Sequence, residues 1–252
     1  MGSDLASWVA SSLLLSLRVA PVFAMAPPFS LTQTPALFRM LFGLGMAAAI
    51  AGGLPEASRH LDLSPGALTL AAAHELLIGA VFVMAFQLAY GAIYVAGRIV
   101  DIQAGFGLAL LIDPTSQAQT PLIGTFFAYA AAVVFFSLDG HADLLRIFAA
   151  SLHAAPLGAF PVALSAARAG SYAGMVFLTA LGITGGAILV LFLTDVAIAF
   201  LSRTVPQMNV LILGLQVKTL VVMLILPVSF GMAGVLLARL ARITLEAAPS
   251  LI

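Results

Sequence analysis

Long apolar blocks separated by short polar breaks run through the whole chain, and this pattern predicts membrane-spanning helices. A helix needs about 20 predominantly apolar residues to cross a bilayer. Most of the blocks have that length, and two consecutive shorter ones lie in the middle of the chain. In order, the blocks are Leu5–Met25, Pro35–Leu54, Ala67–Gly97, Leu122–Leu138, His141–Ala154, Ser171–Leu201 and Gln207–Ala238. The predicted fold class is therefore all-α, integral to a membrane and built of helical hairpins.

Three of these blocks are longer than a bilayer requires. Ala67–Gly97, Ser171–Leu201 and Gln207–Ala238 each hold roughly 31 residues, which is about 46 Å of helix. A bilayer core is about 30 Å thick, so these helices should tilt, kink or project from it. The tight turn Ser202–Pro206 joins the last two and predicts an antiparallel hairpin. Residues Arg98–Ile112 lead from the first long block into a polar segment.

The polar segment, residues 105–121, is the most unusual part of the sequence. An apolar run that begins with Gly105 and Gly107 breaks at Asp113-Pro114, where proline disfavours a helical residue before it. Uncharged hydrogen-bonding side chains follow before Pro121: Ser116, Gln117, Gln119 and Thr120. Exposed irregular backbone is not tolerated in lipid. The segment should therefore lie within protein, in water or in a water-filled path.

Composition strengthens the membrane prediction and excludes several functions. The chain is 62% apolar and 8% charged, with a mean hydropathy of +1.15, whereas soluble domains contain about 25% charged residues. Ten basic residues balance ten acidic ones, so no positive charge excess points to nucleic acid. Without cysteine the chain has no disulfide, thiolate nucleophile or cysteine zinc site. A cleaved signal peptide ending near Ala24–Ala26 is the alternative for the first block, but Asp4 and Arg18 favour a retained helix.

Charged side chains also fall inside apolar blocks, among them Arg18, Glu75, Asp195 and Lys218. Each would cost roughly 2.5–3.5 kcal/mol at the bilayer centre unless it pairs or faces water. Asp195 and Lys218 lie at nearly equal distances from Pro206, so the hairpin should bring them to one level. Three interpretations stay open for them: an ion pair that fixes helix register, a proton or ion relay, or contacts to other subunits. Glu75 beside His74 allows a structural or a relay role.

Candidate chemistry is sparse. Asp139, His141 and Asp143 hint at a metal site, but no second ligand cluster supports them. Asp139 is better interpreted as a helix N-cap, with Asp143 in the first turn beside the positive end of the helix dipole. No nucleophile-elbow, metalloprotease or phosphate-loop motif is present. The sequence therefore predicts no catalytic residue, no metal and no cofactor.

Small residues recur along the chain, and two pairs have the GxxxG spacing that lets helix backbones approach closely. These pairs are Gly170 with Gly174 and Gly182 with Gly186, and further small positions are Gly43, Gly45, Gly231 and Gly234. They predict packing within the chain, assembly with other membrane subunits, or both.

Several motifs in a fixed order together resemble the FliR family of flagellar biosynthesis proteins, and more distantly the SctT family of injectisomes. The resemblance covers essentially the whole chain and is closer to the flagellar members. It rests on Gly105-Phe106-Gly107, Asp113-Pro114, Gln119-Thr120-Pro121, Leu138–His141, and Val205–Val210 followed by Gly214 and Lys218.

The resemblance implies a structural subunit of the flagellar type III protein export gate, which passes unfolded flagellar proteins across the bacterial inner membrane at the flagellar basal body. It implies a FliP-like part, residues 1–169, and a FliQ-like hairpin, residues 170–252, in a helical pore assembly. It further implies that the loop 105–121 plugs the pore. The implied plug residues are Gly105, Phe106, Gly107, Leu108, Leu111, Ile112, Asp113, Pro114 and Gln117. The turn Pro206, Gln207, Met208 and Asn209 is the implied subunit contact.

The implied partners are FliP-like, FliQ-like and FlhB-like membrane subunits around one copy of this chain, together with lipid and unfolded export substrates. Some family members have phenylalanine at the positions of Leu108 and Leu111, so aliphatic side chains would form the seal here. An injectisome gate subunit is the nearest alternative. A secondary transporter that uses Asp195, Lys218 and Glu75 is a more distant one, because internal repeats are not evident.

Overall fold

The structure, a computed structural model, describes residues 2–31, 34–54, 62–106, 121–158, 165–205, 207 and 209–251. These residues form seven α-helices and one short 3-10 helix, and they contain no strand. In chain order they are α1 (Gly2–Met25), the 3-10 helix (Phe29–Leu31), α2 (Ala36–Gly53), α3 (Pro65–Ala104), α4 (Leu122–Ser137), α5 (Gly140–Ala154), α6 (Ala166–Thr204) and α7 (Val210–Ser250).

The all-α membrane fold predicted from the apolar blocks is confirmed. Five of the described helices are long and apolar enough to cross a membrane. The number becomes six if α4 and α5, bent by 69° at their junction, count as one span. The bounds of α1, α2, α4 and α5 agree with the predicted blocks to within a few residues.

The three long helices extend beyond their predicted ends. α3, α6 and α7 contain 40, 39 and 41 residues, so each is about 60 Å long. Arg98 begins no new segment, because α3 continues through it to Ala104. Arg239 and Arg242 likewise lie inside α7. These polar residues end the apolar blocks of the sequence, but hydrophilic side chains do not interrupt the backbone hydrogen bonds of a helix.

The junction of α4 and α5 departs from the predicted capping. Asp139 is the N-cap residue of α5, and Asp143 lies in its first turn, as predicted. However, Asp139 has a left-handed backbone conformation, with φ of 55°, and its side chain makes no cap hydrogen bond. Its main-chain carbonyl instead accepts hydrogen bonds from the N–H groups of Ala142 and Asp143, at 2.8 and 3.1 Å.

The chain divides into two compact units whose borders run through the long helices. The first contains residues 1–88, 135–173 and 241–252. The second contains residues 89–134 and 174–240. The predicted division at residue 169 is a different one, because it separates a FliP-like part from a FliQ-like part by resemblance. That division stays a prediction.

The core of the first unit is rich in aromatic side chains. Phe82 and Phe148 lie with ring centroids 4.9 Å apart, and the rings of Phe86 and Phe135 meet edge to face at 5.9 Å. The hydroxyl of Tyr172 donates a 2.7 Å hydrogen bond to the carbonyl of Ala85, a backbone acceptor in α3. Edge-to-face ring pairs add stability beyond the burial of their area. This core fixes α3 against α5.

In the second unit, α6 and α7 pack as an antiparallel hairpin. Gly214 lies opposite Ile198, whereas Gly182 lies opposite Leu236, so the contacts run in reverse order along the two helices. The base of the segment 105–121 and the pair Asp195 and Lys218 lie in this unit.

Candidate functional site

The first candidate feature is the base of the segment 105–121, of which the structure describes Gly105, Phe106 and Pro121. Gly105 follows the last residue of α3 and has φ of +87°, a conformation that L side chains rarely adopt. A Cβ at this position would also lie 2.5 Å from Leu215 Cδ2. The left-handed backbone therefore favours glycine where the chain leaves α3, whereas the steric contact is only with the end of a flexible leucine side chain.

The other predicted plug residues lie outside the described residues. They are Gly107, Leu108, Leu111, Ile112, Asp113, Pro114 and Gln117. Their assignment to a pore plug stays a prediction that rests on the sequence.

An apolar cavity of about 450 Å³ adjoins the base of this segment. Phe106 lines it from the end of α3, and side chains of α4 and α7 complete it. These are Leu122, Ile123, Phe126, Val222, Met223, Leu226, Pro227 and Phe230. The rings of Phe126 and Phe230 approach to 5.2 Å between centroids. The side chains that line this cavity are all apolar.

The second candidate feature is the pair Asp195 and Lys218, which the structure brings together. Lys218 Nζ lies 2.5 Å from Asp195 Oδ1, between α6 and α7. The pair lies beside a cavity of about 390 Å³ near Gly214 and Leu215. The Lys218 side chain is 20% exposed and that of Asp195 is 45% exposed. Because a screened pair contributes little energy, its position favours a role in helix register or subunit contact over one in stability.

The turn between α6 and α7 is the third predicted feature. Pro206 and Met208 lie outside the described residues, and Gln207 is exposed. Asn209 precedes α7, and its side-chain oxygen accepts a 3.3 Å hydrogen bond from the N–H of Ile212. This is the geometry of a helix cap, which satisfies a backbone donor at the start of α7. A subunit contact at this turn stays a prediction.

The sequence did not predict that Arg18 and Glu75 pair with each other. In the structure they form a fully buried ion pair in the first unit. Arg18 Nε and Nη2 donate to the two carboxylate oxygens of Glu75 at 2.6 and 2.9 Å, and both side chains are 0% exposed. Nη1 donates to the Ser151 hydroxyl at 2.8 Å, and Nη2 also donates to the carbonyl of Ala155 at 2.9 Å. The guanidinium thereby ties α1 to α3, α5 and the residue after α5.

The full burial of Glu75 bears on the proposed relay. A carboxylate that accepts two hydrogen bonds from one guanidinium forms a charge-assisted, bidentate pair, which is among the stronger polar contacts in proteins. Its 0% exposure leaves it no contact with water in the structure. Glu75 therefore fits a structural role better than a relay role. The signal available in the sequence was that both residues interrupt apolar blocks.

The Asp139, His141 and Asp143 cluster shows other contacts. Asp143 pairs with Arg146 at 2.7 Å on an exposed face of α5, and the His141 ring lies 5.9 Å from that of Phe136. In the part of the chain that the structure describes, no three acidic or histidine side chains are placed to share a metal ion.

The predicted small-residue contacts are partly formed. A Cβ on Gly43 would lie 2.6 Å from Ala20 Cα, so α1 and α2 meet closely there. In contrast, open space lies beside Gly170, Gly174, Gly231 and Gly234. Assembly with other subunits through these four positions stays a prediction.

Comparison with known proteins identifies the family. The sequence model for bacterial export proteins, family 1, matches residues 9–243. The chain is 29% identical over 238 residues to the flagellar biosynthetic protein FliR of Bacillus subtilis, which covers 93% of this chain and 91% of the relative. It is 29% identical over 199 residues to FliR of Escherichia coli, which covers 79% of this chain and 76% of the relative.

A further relative is the surface presentation of antigens protein SpaR of Salmonella typhimurium. It is 27% identical over 227 residues, which covers 88% of this chain and 84% of the relative. The resemblance to the FliR and SctT family, predicted from the loop and turn motifs, is thus confirmed. The chain therefore belongs to the bacterial export proteins of family 1 and is a subunit of a type III secretion export apparatus.

Proposed function

We propose that the chain is a pore-forming structural subunit of the flagellar type III export gate. In this proposal it passes unfolded flagellar proteins across the bacterial inner membrane at the basal body, and the segment 105–121 plugs the closed pore. The observation that carries the proposal is the family match over residues 9–243, a range that includes the segment 105–121 and the turn Val205–Val210. The FliR relatives are 21–29% identical to the chain and the SpaR relatives 26–27%, so the preference for the flagellar system rests on the loop and turn motifs rather than on identity.

The surface of the long helices supports a role inside a larger assembly. In the apolar windows of α6 and α7, 33% and 22% of the residues are buried within the chain. Large apolar side chains such as Leu178 and Met232 are 72% and 75% exposed. At about 60 Å, both helices exceed a bilayer core by a factor of about two. Lipid can cover only part of the exposed apolar surface of such long helices. We expect neighbouring subunits to cover the remainder.

The proposed partners are FliP-like, FliQ-like and FlhB-like subunits, with this chain present in one copy. The hairpin of α6 and α7 is the proposed FliQ-like part, with Gln207 and Asn209 at its tip. The chain performs no chemistry of its own in this proposal. Its function is to shape the pore and to hold the plug.

An injectisome gate subunit is the second candidate, and the similarity to SpaR favours it. A secondary transporter retains less support. A transporter would need ionisable groups that are accessible along a path for the solute. Glu75 instead is fully buried in an ion pair with Arg18.

The first test is purification of the tagged full-length chain from its own bacterium in mild detergent. We expect the other membrane subunits of the flagellar export apparatus to co-purify, and deletion of the chain to abolish secretion of flagellar proteins. A matched variant truncated after residue 169 should lose the FliQ-like partner.

Three outcomes would contradict the proposal. Secretion of flagellar proteins could persist without the chain, while secretion of injectisome substrates stops. The FliQ-like partner could remain bound to the truncated variant. The purified chain alone, reconstituted in liposomes, could move a specific solute, which would instead indicate a transporter.

A further inference from the structure

An apolar cavity with one cation at its edge lies between the end of α1 and the start of α2. Its volume is about 390 Å³. Sites for small ligands usually have volumes of about 300–1,000 Å³, so the cavity has room for part of one. All of its lining residues belong to the first unit. Four of them are phenylalanines, and the lining is Phe23, Phe29, Thr34, Phe38, Arg39 and Phe42.

The phenylalanines form a preformed apolar wall. The ring centroid of Phe23 lies 4.6 Å from that of Phe29 and 5.2 Å from that of Phe42. The helices behind this wall are in close contact, since a Cβ on Gly43 would lie 2.6 Å from Ala20 Cα. An apolar chain can therefore lie against the rings without a rearrangement of α1 or α2.

Arg39 is the single charged residue of α2 and lies in its first turn. Its Nη1 donates a 3.3 Å hydrogen bond to the carbonyl of Phe29, which holds the guanidinium beside the cavity. Its Nε is buried without a hydrogen-bond partner, and no carboxylate among the described residues forms an ion pair with it. The start of a helix carries a partial positive charge, so a cation there is unfavourable without a counter-ion. The charge of Arg39 therefore favours an anion from outside the chain.

The position of Arg39 along α2 matches the level of lipid head groups. α2 has 18 residues and is about 27 Å long, which is close to the bilayer core of about 30 Å. When this helix spans the bilayer, its first turn lies at one border of the hydrocarbon region. Only 17% of its apolar window is buried inside the chain, so most of its surface is open to the surroundings. At that border a phospholipid has its phosphate directly beside its acyl chains.

We propose that this cavity binds one anionic phospholipid of the surrounding bilayer. The phosphate pairs with the guanidinium of Arg39, whose planar set of donors suits phosphate oxygens. One acyl chain lies along the wall formed by Phe23, Phe38 and Phe42. A single lipid thus supplies the missing negative charge and covers the apolar wall, whereas a free phosphate would leave that wall exposed. The site depends on α1 and α2 and is independent of the proposed pore plug.

The test uses the full-length chain, with the subunits that co-purify, after its lipids have been removed in detergent. Native mass spectrometry measures binding of dioleoylphosphatidylglycerol and of dioleoylphosphatidylcholine, which has the same acyl chains but no net charge. We expect phosphatidylglycerol to bind more tightly. Arg39→Gln should weaken its binding on the order of tenfold, the change expected for one lost charge-assisted hydrogen bond. Arg203→Gln makes the same change at an exposed arginine in the last turn of α6, and it should have no effect.

Two further variants separate the charge from the apolar wall. Arg39→Lys keeps the positive charge and should retain most of the affinity for phosphatidylglycerol. Phe38→Ala removes an exposed part of the wall, so it should weaken binding of both lipids by a similar factor.

Four results would overturn the proposal. Phosphatidylglycerol could bind equally well to the unmodified chain and to Arg39→Gln. The unmodified chain could bind phosphatidylcholine as tightly as phosphatidylglycerol. Inorganic phosphate could displace phosphatidylglycerol at equal concentration, which would indicate an anion site that ignores the acyl chain. Arg39→Gln could lose a co-purifying subunit while lipid binding stays unchanged, which would show that a neighbouring subunit fills the cavity.

Discussion

Replacing Glu75 by alanine should destabilise the chain by about 3–5 kcal/mol, because the change leaves the Arg18 guanidinium buried without its counter-charge. Both side chains are fully buried and joined by two hydrogen bonds. Arg18 keeps only the Ser151 hydroxyl and the Ala155 carbonyl in the variant. The melting temperature of the detergent-solubilised chain should fall by roughly 10 °C. Thermal unfolding of the purified protein measures this loss.

A double variant distinguishes the effect of the two charges from the effect of the volume that the side chains fill. Arg18→Met with Glu75→Leu removes both charges and keeps apolar bulk, so it should be much less destabilising than Glu75→Ala. Asp143→Ala breaks the exposed pair with Arg146 and should cost about 1 kcal/mol or less. Additive losses for the two members of the buried pair would contradict direct coupling between Arg18 and Glu75.

Deleting Leu108–Thr120 should leave the assembly largely intact and make the membrane permeable to ions. The deletion removes the polar tip and the apolar run while keeping Gly105, Phe106 and the helices on both sides. The shortened link can close, because Asp101 and the N–H of Ile123 already lie within hydrogen-bonding distance. Ion conductance of cells that express the variant, with co-purification as the measure of assembly, checks this result.

A length-matched control replaces the same residues by glycine and serine. This linker keeps the chain length but loses the apolar side chains that would exclude water, so we expect it to leak as well. A deletion variant that stays tight and secretes flagellar proteins normally would contradict the plug. A leak from the deletion but none from the linker would show that bulk, rather than apolar packing, closes the pore.

Hydropathy and turn residues were enough to predict the helices and the charged pair of the hairpin. The apolar blocks located every described α-helix, because the backbone must satisfy its own hydrogen bonds in lipid. Asp195 and Lys218 could be matched because one short turn fixes the register of the two helices that carry them. The contact between Asp195 and Lys218 can therefore be predicted from the short turn that joins their helices.

The partners of Arg18 and Asp101 could not be predicted in this way. Arg18 meets Glu75 across 57 positions, and no single turn relates the two helices that carry them. Asp101 caps α4 from a neighbouring helix, whereas the usual capping signal lies directly before the helix that it caps. Both contacts depend on tertiary packing that creates no periodic pattern. The apolar pattern also makes the long helices too short, because charged residues such as Arg98 and Arg239 continue them.

If the segment 105–121 plugs the closed pore, unfolded export substrates must displace it and pass beside it. A photo-reactive amino acid at Leu111 or Gln117 should cross-link to a flagellar substrate that is stalled during export by a folded domain at its end. The same amino acid at Leu178 or Met232, which are exposed on α6 and α7, should not. Cross-links at Leu111 and Gln117 that appear only with the stalled substrate would support the account. Their absence, or equal cross-linking at all four positions, would contradict it.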